Sequence, residues 1–398
     1  MNKALDTLLG RAATMMAAGK LPQALELYLD AAKLASENAA IHDALGNLYG
    51  RLGNTTQAEN YCRMAIRLEP DLSRAHANLG NTLLAGKRTS EALDAYRQAT
   101  TLDPGLTAAW LMRGRCHEIL GQPLETENAC RQALQQHPDN PDARLMLGRA
   151  LQSGGRYREA AVVFSALTAY LPGHAEAHFR LAVALAELGA TGEAETSCRK
   201  ALALSPQYVP ALTTMGMILL TRGEPGQALT YCRRALEMDP SNINAATLAS
   251  NIHEQQGEPD EAYAYLAPLI EAGMQHVNLA LAWAAVSKEL GHERQAIDMM
   301  ESLLAEDTGL GNTSRRNLHF NLGKLYDRLQ NYDKAFAHYR KGNTLKQARF
   351  DRQAYTRTIQ DTIALLDSAF LSKLPSSTLT SRKPVFIIGM PRSGTSLV

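Results

Sequence analysis

The residues best suited to chemistry lie at the end of the sequence, where residues 384–398 read PVFIIGMPRSGTSLV. The apolar run VFII is typical of a buried strand. Gly389 and Gly394 bound the turn that follows it, and two hydroxyl residues come next. A strand, a glycine-bounded loop and the first turn of a helix can surround a phosphate with backbone N–H groups. The segment therefore predicts an anion site at the start of an α/β domain.

The loop differs from the nucleotide-triphosphate loop G-x-x-x-x-G-K-[ST] at the lysine place. Gly389 and Gly394 have the spacing of the two glycines, and Ser396 stands at the Ser/Thr place. Thr395 replaces the lysine that would contact the β- and γ-phosphates, which disfavours an ATPase or GTPase. The cation is Arg392, inside the loop, so the loop suits a compact dianionic group. The alternative is a strand, a glycine turn and a helix that bind nothing.

The segment FIIGMPRSGTS resembles the 5′-phosphosulfate-binding loop of the sulfotransferases, and most closely that of the bacterial-type and tyrosylprotein-sulfotransferase-like branch. In that branch a tetratricopeptide region commonly precedes the transferase domain. The resemblance implies transfer of a sulfuryl group from 3′-phosphoadenosine-5′-phosphosulfate (PAPS) to an acceptor hydroxyl, mostly by positioning and charge stabilisation. It also implies that five residues hold the phosphosulfate: Arg392, Ser393, Gly394, Thr395 and Ser396.

The catalytic base and the 3′-phosphate site of that family lie downstream of the loop, so the catalytic residues of this chain are not assigned. No carboxylate before the loop is assigned as the catalytic base instead. A chain that ends at Val398 is expected to be catalytically incomplete, either as part of a longer enzyme or as a gene product cut short.

The elements before this loop follow a 34-residue repeat, which becomes visible when the chain is written in rows. Nine consecutive rows run from Leu5 to Leu310, and a tenth runs from Arg316 to Arg349. Position 8 is small in all ten rows, position 20 is alanine in nine, position 15 is glycine in eight and position 32 is proline in six. Small residues let two helices approach closely, glycine suits the turn between them, and proline ends the second helix.

This pattern resembles the tetratricopeptide repeat and predicts ten antiparallel helix pairs over residues 5–349, stacked as a right-handed superhelical solenoid. The predicted fold is all-α, followed by the first strand and phosphate-binding loop of a truncated α/β, P-loop-like domain. Residues 350–374 are predicted to form one amphipathic helix that caps the solenoid, because apolar residues recur every three or four positions. Residues 375–383 read as a linker, and residues 384–398 as the N-terminal fragment of a sulfotransferase domain.

The five cysteines follow the repeat and not a metal or disulfide pattern. Four share row position 24, namely Cys62, Cys130, Cys198 and Cys232, and Cys116 stands at position 10. They are expected to be small buried core residues, too far apart to bridge. Histidines at row position 4 are likewise attributed to the repeat: His42, His76, His178 and His319. No metal is therefore predicted.

Stacked repeats form a concave groove, and the resemblance places row positions 2, 5, 9 and 12 on it. At position 9, Asn47 and Asn81 begin a polar ladder. Arg115 and Arg149 follow at the same position and are candidates for holding a carboxylate of a bound peptide. The alternative is that these residues are ordinary solvated surface. The groove as a whole predicts a protein or peptide partner.

The charge balance and the hydropathy of the sequence exclude some classes of partner. The 41 basic and 40 acidic residues nearly cancel, so neither nucleic acid nor a membrane surface is predicted as a partner. No apolar run approaches the ~18 residues of a membrane span, and the N-terminus does not resemble a signal peptide, so a cytoplasmic location is expected. Two functions remain open: a PAPS-dependent sulfotransferase whose solenoid recruits the acceptor, or a non-catalytic scaffold for protein–protein interaction. The oligomeric state is not predicted.

Overall fold

The computed structural model describes residues 3–306, 309–345 and 352–365. These residues are helical apart from short turns, and none of them lies in a strand. The chain divides into two compact units, Met1–Thr308 and Gly309–Val398.

The described helices of the first unit are α1 (Lys3–Ala17), α2 (Leu21–Leu34), α3 (Ala39–Arg51), α4 (Thr55–Leu68), α5 (Ser73–Ala85), α6 (Thr89–Leu102), α7 (Thr107–Ile119), α8 (Pro123–Gln136), α9 (Pro141–Ser153), α10 (Tyr157–Tyr170), α11 (Ala175–Glu187), α12 (Thr191–Leu204), α13 (Val209–Thr221), α14 (Pro225–Met238), α15 (Ile243–Gln255), α16 (Pro259–Glu271), α17 (Val277–Leu290) and α18 (Glu293–Ala305). Those of the second unit are α19 (Asn312–Arg328), α20 (Tyr332–Thr344) and α21 (Arg352–Leu365).

Each 34-residue row of the sequence forms one pair of helices, from α1 and α2 to α19 and α20. The ten predicted pairs are therefore confirmed. Within the first unit the partners of a pair pack on each other, the second helix packs on the next pair, and first helices of adjacent pairs also touch. A helix pair of this size cannot bury its apolar face alone, so this stacking completes the core.

Row positions 8 and 24 meet where the two helices of a pair approach most closely. A Cβ atom added to Gly46 would lie 2.5 Å from Cys62 Sγ, and one added to Gly148 would lie 2.4 Å from the Phe164 ring. Both distances are shorter than van der Waals contact, so a larger residue at Gly46 or Gly148 would force the neighbouring side chain to move. All five cysteines are buried and unbonded, as predicted.

Row position 15 adopts the left-handed backbone conformation in every row. The eight glycines at this position have φ values between 67° and 82°. The two rows without glycine carry Lys87 and Gln330, and each has φ 59°. The turn geometry is thus dictated by the helix pairing, because non-glycine residues accept this unfavourable conformation to maintain it.

In four repeats the residue at row position 4 connects the first helix to the loop that precedes it. Its ring N–H donates to a backbone carbonyl six residues earlier, over 2.6–2.9 Å, in four pairs: His42 with Ser36, His76 with Pro70, Trp110 with Pro104 and His178 with Pro172. The fourth histidine of the series, His319, instead lies 3.0 Å from His338, Nδ1 to Nδ1. Three of the four histidines at this position therefore hold a loop.

The helix predicted over residues 350–374 is present as α21, Arg352–Leu365, within the described residues. In the described part of this helix Tyr355, Ile359 and Ile363 are 44%, 43% and 68% exposed, and its capping role stays a prediction. An amphipathic helix buries its apolar face only where another apolar surface lies against it. The linker at 375–383 and the strand and loop at 384–398 lie outside the described residues and stay predictions.

Candidate functional site

A cavity of about 650 Å³ lies on the face formed by α1, α3, α5 and α7. Row positions 2, 5 and 9 line it, as predicted, and position 6 contributes as well. Its walls are mostly alanine, leucine and methionine side chains. Its polar lining includes Asp43, Asn47, Arg74, Asn78, Asn81 and Tyr96.

A chain of hydrogen bonds crosses this cavity between neighbouring repeats. Asn78 Nδ2 donates to Asp43 Oδ1 over 2.7 Å, and Asn47 Nδ2 donates to Asn78 Oδ1 over 3.1 Å. Because an ionised carboxylate only accepts, Asn78 has to direct its amide nitrogen toward Asp43. Its oxygen then faces Asn47, which has to donate in turn. The amide oxygen of Asn47 remains as an acceptor at the end of the chain.

A second polar pair lines the same cavity. The Tyr96 hydroxyl donates to Asn81 Oδ1 over 2.6 Å. Burial raises the pKa of Tyr96 above its usual range, so this hydroxyl stays protonated at neutral pH. The predicted ladder therefore consists of two separate networks, since Asn47 bonds to Asn78 and Asn81 bonds to Tyr96.

Asp43 is the buried charged group of this cavity, with 6% of its surface exposed. Burial raises the pKa of its carboxyl, while the bond from Asn78 and the positive charge of Arg74 oppose that rise. Arg74 is exposed, and none of its nitrogens lies within ion-pair distance of Asp43 among the described contacts. The cavity therefore contains a carboxylate whose charge is only partly compensated by the protein.

The two arginines predicted to hold a peptide carboxylate already share a carboxylate of the chain. Arg149 Nε donates to Glu118 Oε1 over 2.8 Å, and its Nη2 donates to Glu118 Oε2 over 2.6 Å. Arg115 Nη1 lies 3.3 Å from Glu118 Oε2, and Arg149 also lies 3.6 Å from Glu176. Stacking thus places Glu118 in contact with both arginines, and their role in holding a peptide carboxylate stays a prediction.

A further cavity of about 540 Å³ lies on the equivalent face of α13, α15 and α17. Threonine and asparagine side chains dominate its polar lining: Thr213, Thr214, Asn244, Thr247 and Asn251. Met217, also in this lining, is 51% exposed. The concave face of the first unit thus has an acidic cavity, an internally paired arginine cluster and an uncharged cavity, in chain order.

The described residues show no metal cluster, as they contain no group of three or more His, Cys, Asp or Glu side chains arranged to hold an ion. None of the described helices is long and apolar enough to cross a membrane. The predicted phosphosulfate-binding residues lie outside the described part of the chain: Arg392, Ser393, Gly394, Thr395 and Ser396.

Comparison with known protein families agrees with this geometry. Models of the tetratricopeptide repeat match residues 9–71, 44–107 and 145–209, and related models of the same repeat match residues 107–150, 219–288 and 317–349. The chain is a tetratricopeptide repeat protein. The matched segments cover repeats in both units, so the family assignment does not depend on one part of the chain.

Individual relatives of this tetratricopeptide protein are distant. An uncharacterised protein of Aquifex aeolicus (strain VF5) is 31% identical over 105 residues, which is 26% of this chain and 14% of that protein. The chain thus spans about a seventh of that relative's length.

Similar solved structures include YrrB, described as a TPR protein with an unusual peptide-binding site, with 24% identity, TM-score 0.44 and coverage of 46% of this chain and 95% of its own. The type IV pilus biogenesis factor PilW is 24% identical, with a TM-score of 0.48, and the match covers 52% of this chain and 96% of PilW. Yeast Tom70 is 12% identical, with a TM-score of 0.48, and the match covers 94% of this chain and 99% of Tom70. All three TM-scores are below 0.5, and the assignment rests on the repeat models.

Proposed function

We propose that this tetratricopeptide protein is a non-catalytic scaffold that binds an extended segment of a partner protein along the concave face of its first helices. The observation that carries this proposal is the cavity of about 650 Å³ between α1, α3, α5 and α7. Its walls offer apolar surface for side chains, and its asparagines offer amide groups for a peptide backbone. A concave site with apolar walls and a few convergent polar groups is the usual form of a binding site.

The dimensions of the repeat support an extended chain as the occupant. Adjacent packed helices lie about 8–10 Å apart, so equivalent positions on successive first helices can contact residues about three apart in an extended chain. Polar groups of the lining recur on α3 and α5, at Asn47 and Asn81. Such a repeat of amide groups suits the regular spacing of backbone N–H and C=O groups in a peptide.

A second candidate function is sulfuryl transfer from PAPS, which one observation favours. The loop from Gly389 to Ser396 resembles the phosphosulfate-binding loop of the sulfotransferases and follows the repeats in the order known for that family. In this case the concave face would recruit or position the protein that carries the acceptor hydroxyl. Binding of a partner segment is common to both functions.

The test of the proposed function is selection of binders from a random peptide library on the full chain, followed by titration of the selected peptides. Ala108 is an exposed alanine in the wall of the cavity, and Ala203 is an exposed alanine of α12 outside it. Ala108→Trp should fill the cavity and weaken binding at least about tenfold, whereas Ala203→Trp should leave affinity unchanged. Peptides that bind both variants equally, or a failure to select any peptide, would contradict the proposal.

A further inference from the structure

Asp43 is a buried carboxylate that the fold satisfies only in part. Asn78 is the one side chain that hydrogen-bonds it among the described residues. A carboxylate has about four acceptor sites on two oxygens, and a buried one normally uses several of them. Asp43 also lines the cavity, so its remaining acceptor capacity is available to a ligand there.

The hydrogen-bond chain makes the surroundings of Asp43 rich in acceptors. Each amide in the chain directs its nitrogen toward the carboxylate, and none of the hydrogen bonds found among the described residues uses the Asn47 oxygen as an acceptor. Asp43 and Asn47 both belong to α3, one helical turn apart, and both line the cavity. Two acceptors on one helix face, one of them charged, require a ligand that presents several N–H donors and a positive charge.

We propose that this cavity takes the ammonium group of a lysine side chain of the bound protein segment, with Asp43 as its counter-ion and Asn47 as a second acceptor. This inference rests on the proposed function, because the lysine belongs to the segment held in the groove. The four methylene groups of lysine match the apolar walls formed by alanine, leucine and methionine side chains, as long cationic side chains bury their stems and pair their heads. An ammonium group has three donors, which suits separate acceptors better than a planar guanidinium does.

Arg74 is the competing feature, since it lines the same cavity and attracts anions. Its side chain is exposed, however, and an ion pair at an exposed position is screened by water. Asp43 is 6% exposed, so a cation beside it interacts through a medium of lower dielectric constant. The buried group therefore dominates the selectivity of the cavity.

The experiment uses the peptides selected on the full chain and combines changes on both sides of the interface. Lysine in the peptide is replaced by norleucine, which keeps the methylene stem and removes the charge. Asp43→Asn keeps the shape of the side chain and removes its charge, and circular dichroism checks that the variant folds. Asp71→Asn removes the same charge at an exposed loop position and serves as the matched control.

The proposal expects one lysine common to the selected peptides, and a loss of at least about tenfold in affinity when it becomes norleucine. Asp43→Asn should cause a similar loss, the two changes together should cost little more than either alone, and Asp71→Asn should have no effect. Acetylation of the peptide N-terminus should also have no effect.

Three results would overturn the inference. The first is unchanged affinity of the norleucine peptide while Ala108→Trp still abolishes binding, which leaves the proposed function intact. The second is loss of binding on N-terminal acetylation and not on lysine replacement, which would assign the cavity to a terminal amine. The third is a selected peptide whose acidic group, and not a lysine, is essential, which would assign the cavity to Arg74. Failure to select any peptide would remove the proposed function and this inference together.

Discussion

At the scale of single residues, the cysteines show how burial decides reactivity. Burial raises the pKa of Cys62, Cys130, Cys198 and Cys232 to about 12, and that of Cys116 to about 11. The thiolate is the reactive form, and all five side chains are 0% exposed. At pH 8 a thiol-specific reagent such as Ellman's reagent should therefore label none of them in the native protein and all five in denaturant.

The same shifts make stability depend on pH. Because the folded-state pKa values lie above the ordinary value of 9.0, unfolded thiols lose their protons first as the pH rises. The stabilisation is fully present below pH 9.0 and should be lost progressively toward pH 12. Denaturant titrations at pH 8 and pH 10 measure this. Rapid labelling of any cysteine in the native protein at pH 8 would contradict the burial that underlies both expectations.

A second prediction for a single residue concerns Arg392 and sulfuryl transfer from PAPS, the second candidate function. It is the only side-chain cation between Gly389 and Gly394 in the sequence. If the protein is a sulfotransferase, Arg392→Ala should lower sulfuryl transfer about 10²–10³-fold, as removal of a transition-state donor does. Transfer from PAPS to a hydroxyl acceptor, assayed with Thr378→Ala as a control in the predicted linker, measures this. Equal rates for Arg392→Ala and the natural protein would exclude the assigned role.

At the scale of helices, a pair of arginines contacts one glutamate as a clamp in repeats two, four and six. Row position 21 is glutamate in rows two, four and six, where each carboxylate contacts an arginine four residues later and another at the turn between the two helices of the next repeat. The three groups are Glu59 with Arg63 and Arg88, Glu127 with Arg131 and Arg156, and Glu195 with Arg199 and Arg222. The clamp therefore recurs every 68 residues and joins two consecutive helix pairs.

Glu127 provides the test of this clamp. Its side chain is 11% exposed and lies 2.8 Å from Arg131 and 2.5 Å from Arg156. Glu127→Ala should lower the free energy of unfolding by about 1–3 kcal/mol, because charge-assisted hydrogen bonds in a partly buried position are lost. Urea denaturation measures the change.

Glu159→Ala is the matched control, since Glu159 also bonds to Arg156 but has a side chain that is 53% exposed. Its replacement should lower stability by a smaller amount, because solvent screens an exposed pair. Equal losses for Glu127→Ala and Glu159→Ala would show that the link between repeats adds nothing to the local ion pair.

At the scale of the whole molecule, each repeat of the first unit packs only on its neighbours. A destabilising substitution should therefore affect mainly the helices next to it. Helix α9 packs on α7, α8, α10 and α11, and on no distant repeat among the described contacts. Gly148→Ala places a methyl group 2.4 Å from the Phe164 ring, and overpacking of this kind costs about 1–3 kcal/mol. Hydrogen exchange should therefore accelerate in α8–α11 and stay unchanged in α15–α18, as expected when repeats couple only to their neighbours.

Gly10→Ala serves as the control for that experiment. No atom lies within 4 Å of a Cβ added to Gly10, and alanine favours the helix by up to about 1 kcal/mol. This variant should be as stable as the natural chain or more so. A uniform acceleration of exchange over residues 3–306 in Gly148→Ala would show that the first unit unfolds as one cooperative body.

The repeat pattern was enough to predict the helix pairs and the turn between them. Those features depend on contacts within one row, such as Gly148 against Phe164, and on the backbone conformation at a single position, such as Gly121 with φ 67°. Lys87 makes the same turn without glycine, because the helix pairing enforces the left-handed conformation there. The repeat period was enough to assign the fold, since every row repeats the same local contacts.

Contacts between neighbouring repeats, which the repeat pattern does not contain, set which groove residues are available to a ligand. Asn78 bonds to Asp43 across 35 residues, and Arg149 bonds to Glu118 across 31. These separations are close to one repeat, because stacking places equivalent positions of successive first helices side by side. A position on the groove can be read from one row, but its charge state and its free hydrogen-bonding groups depend on the side chains of the next row.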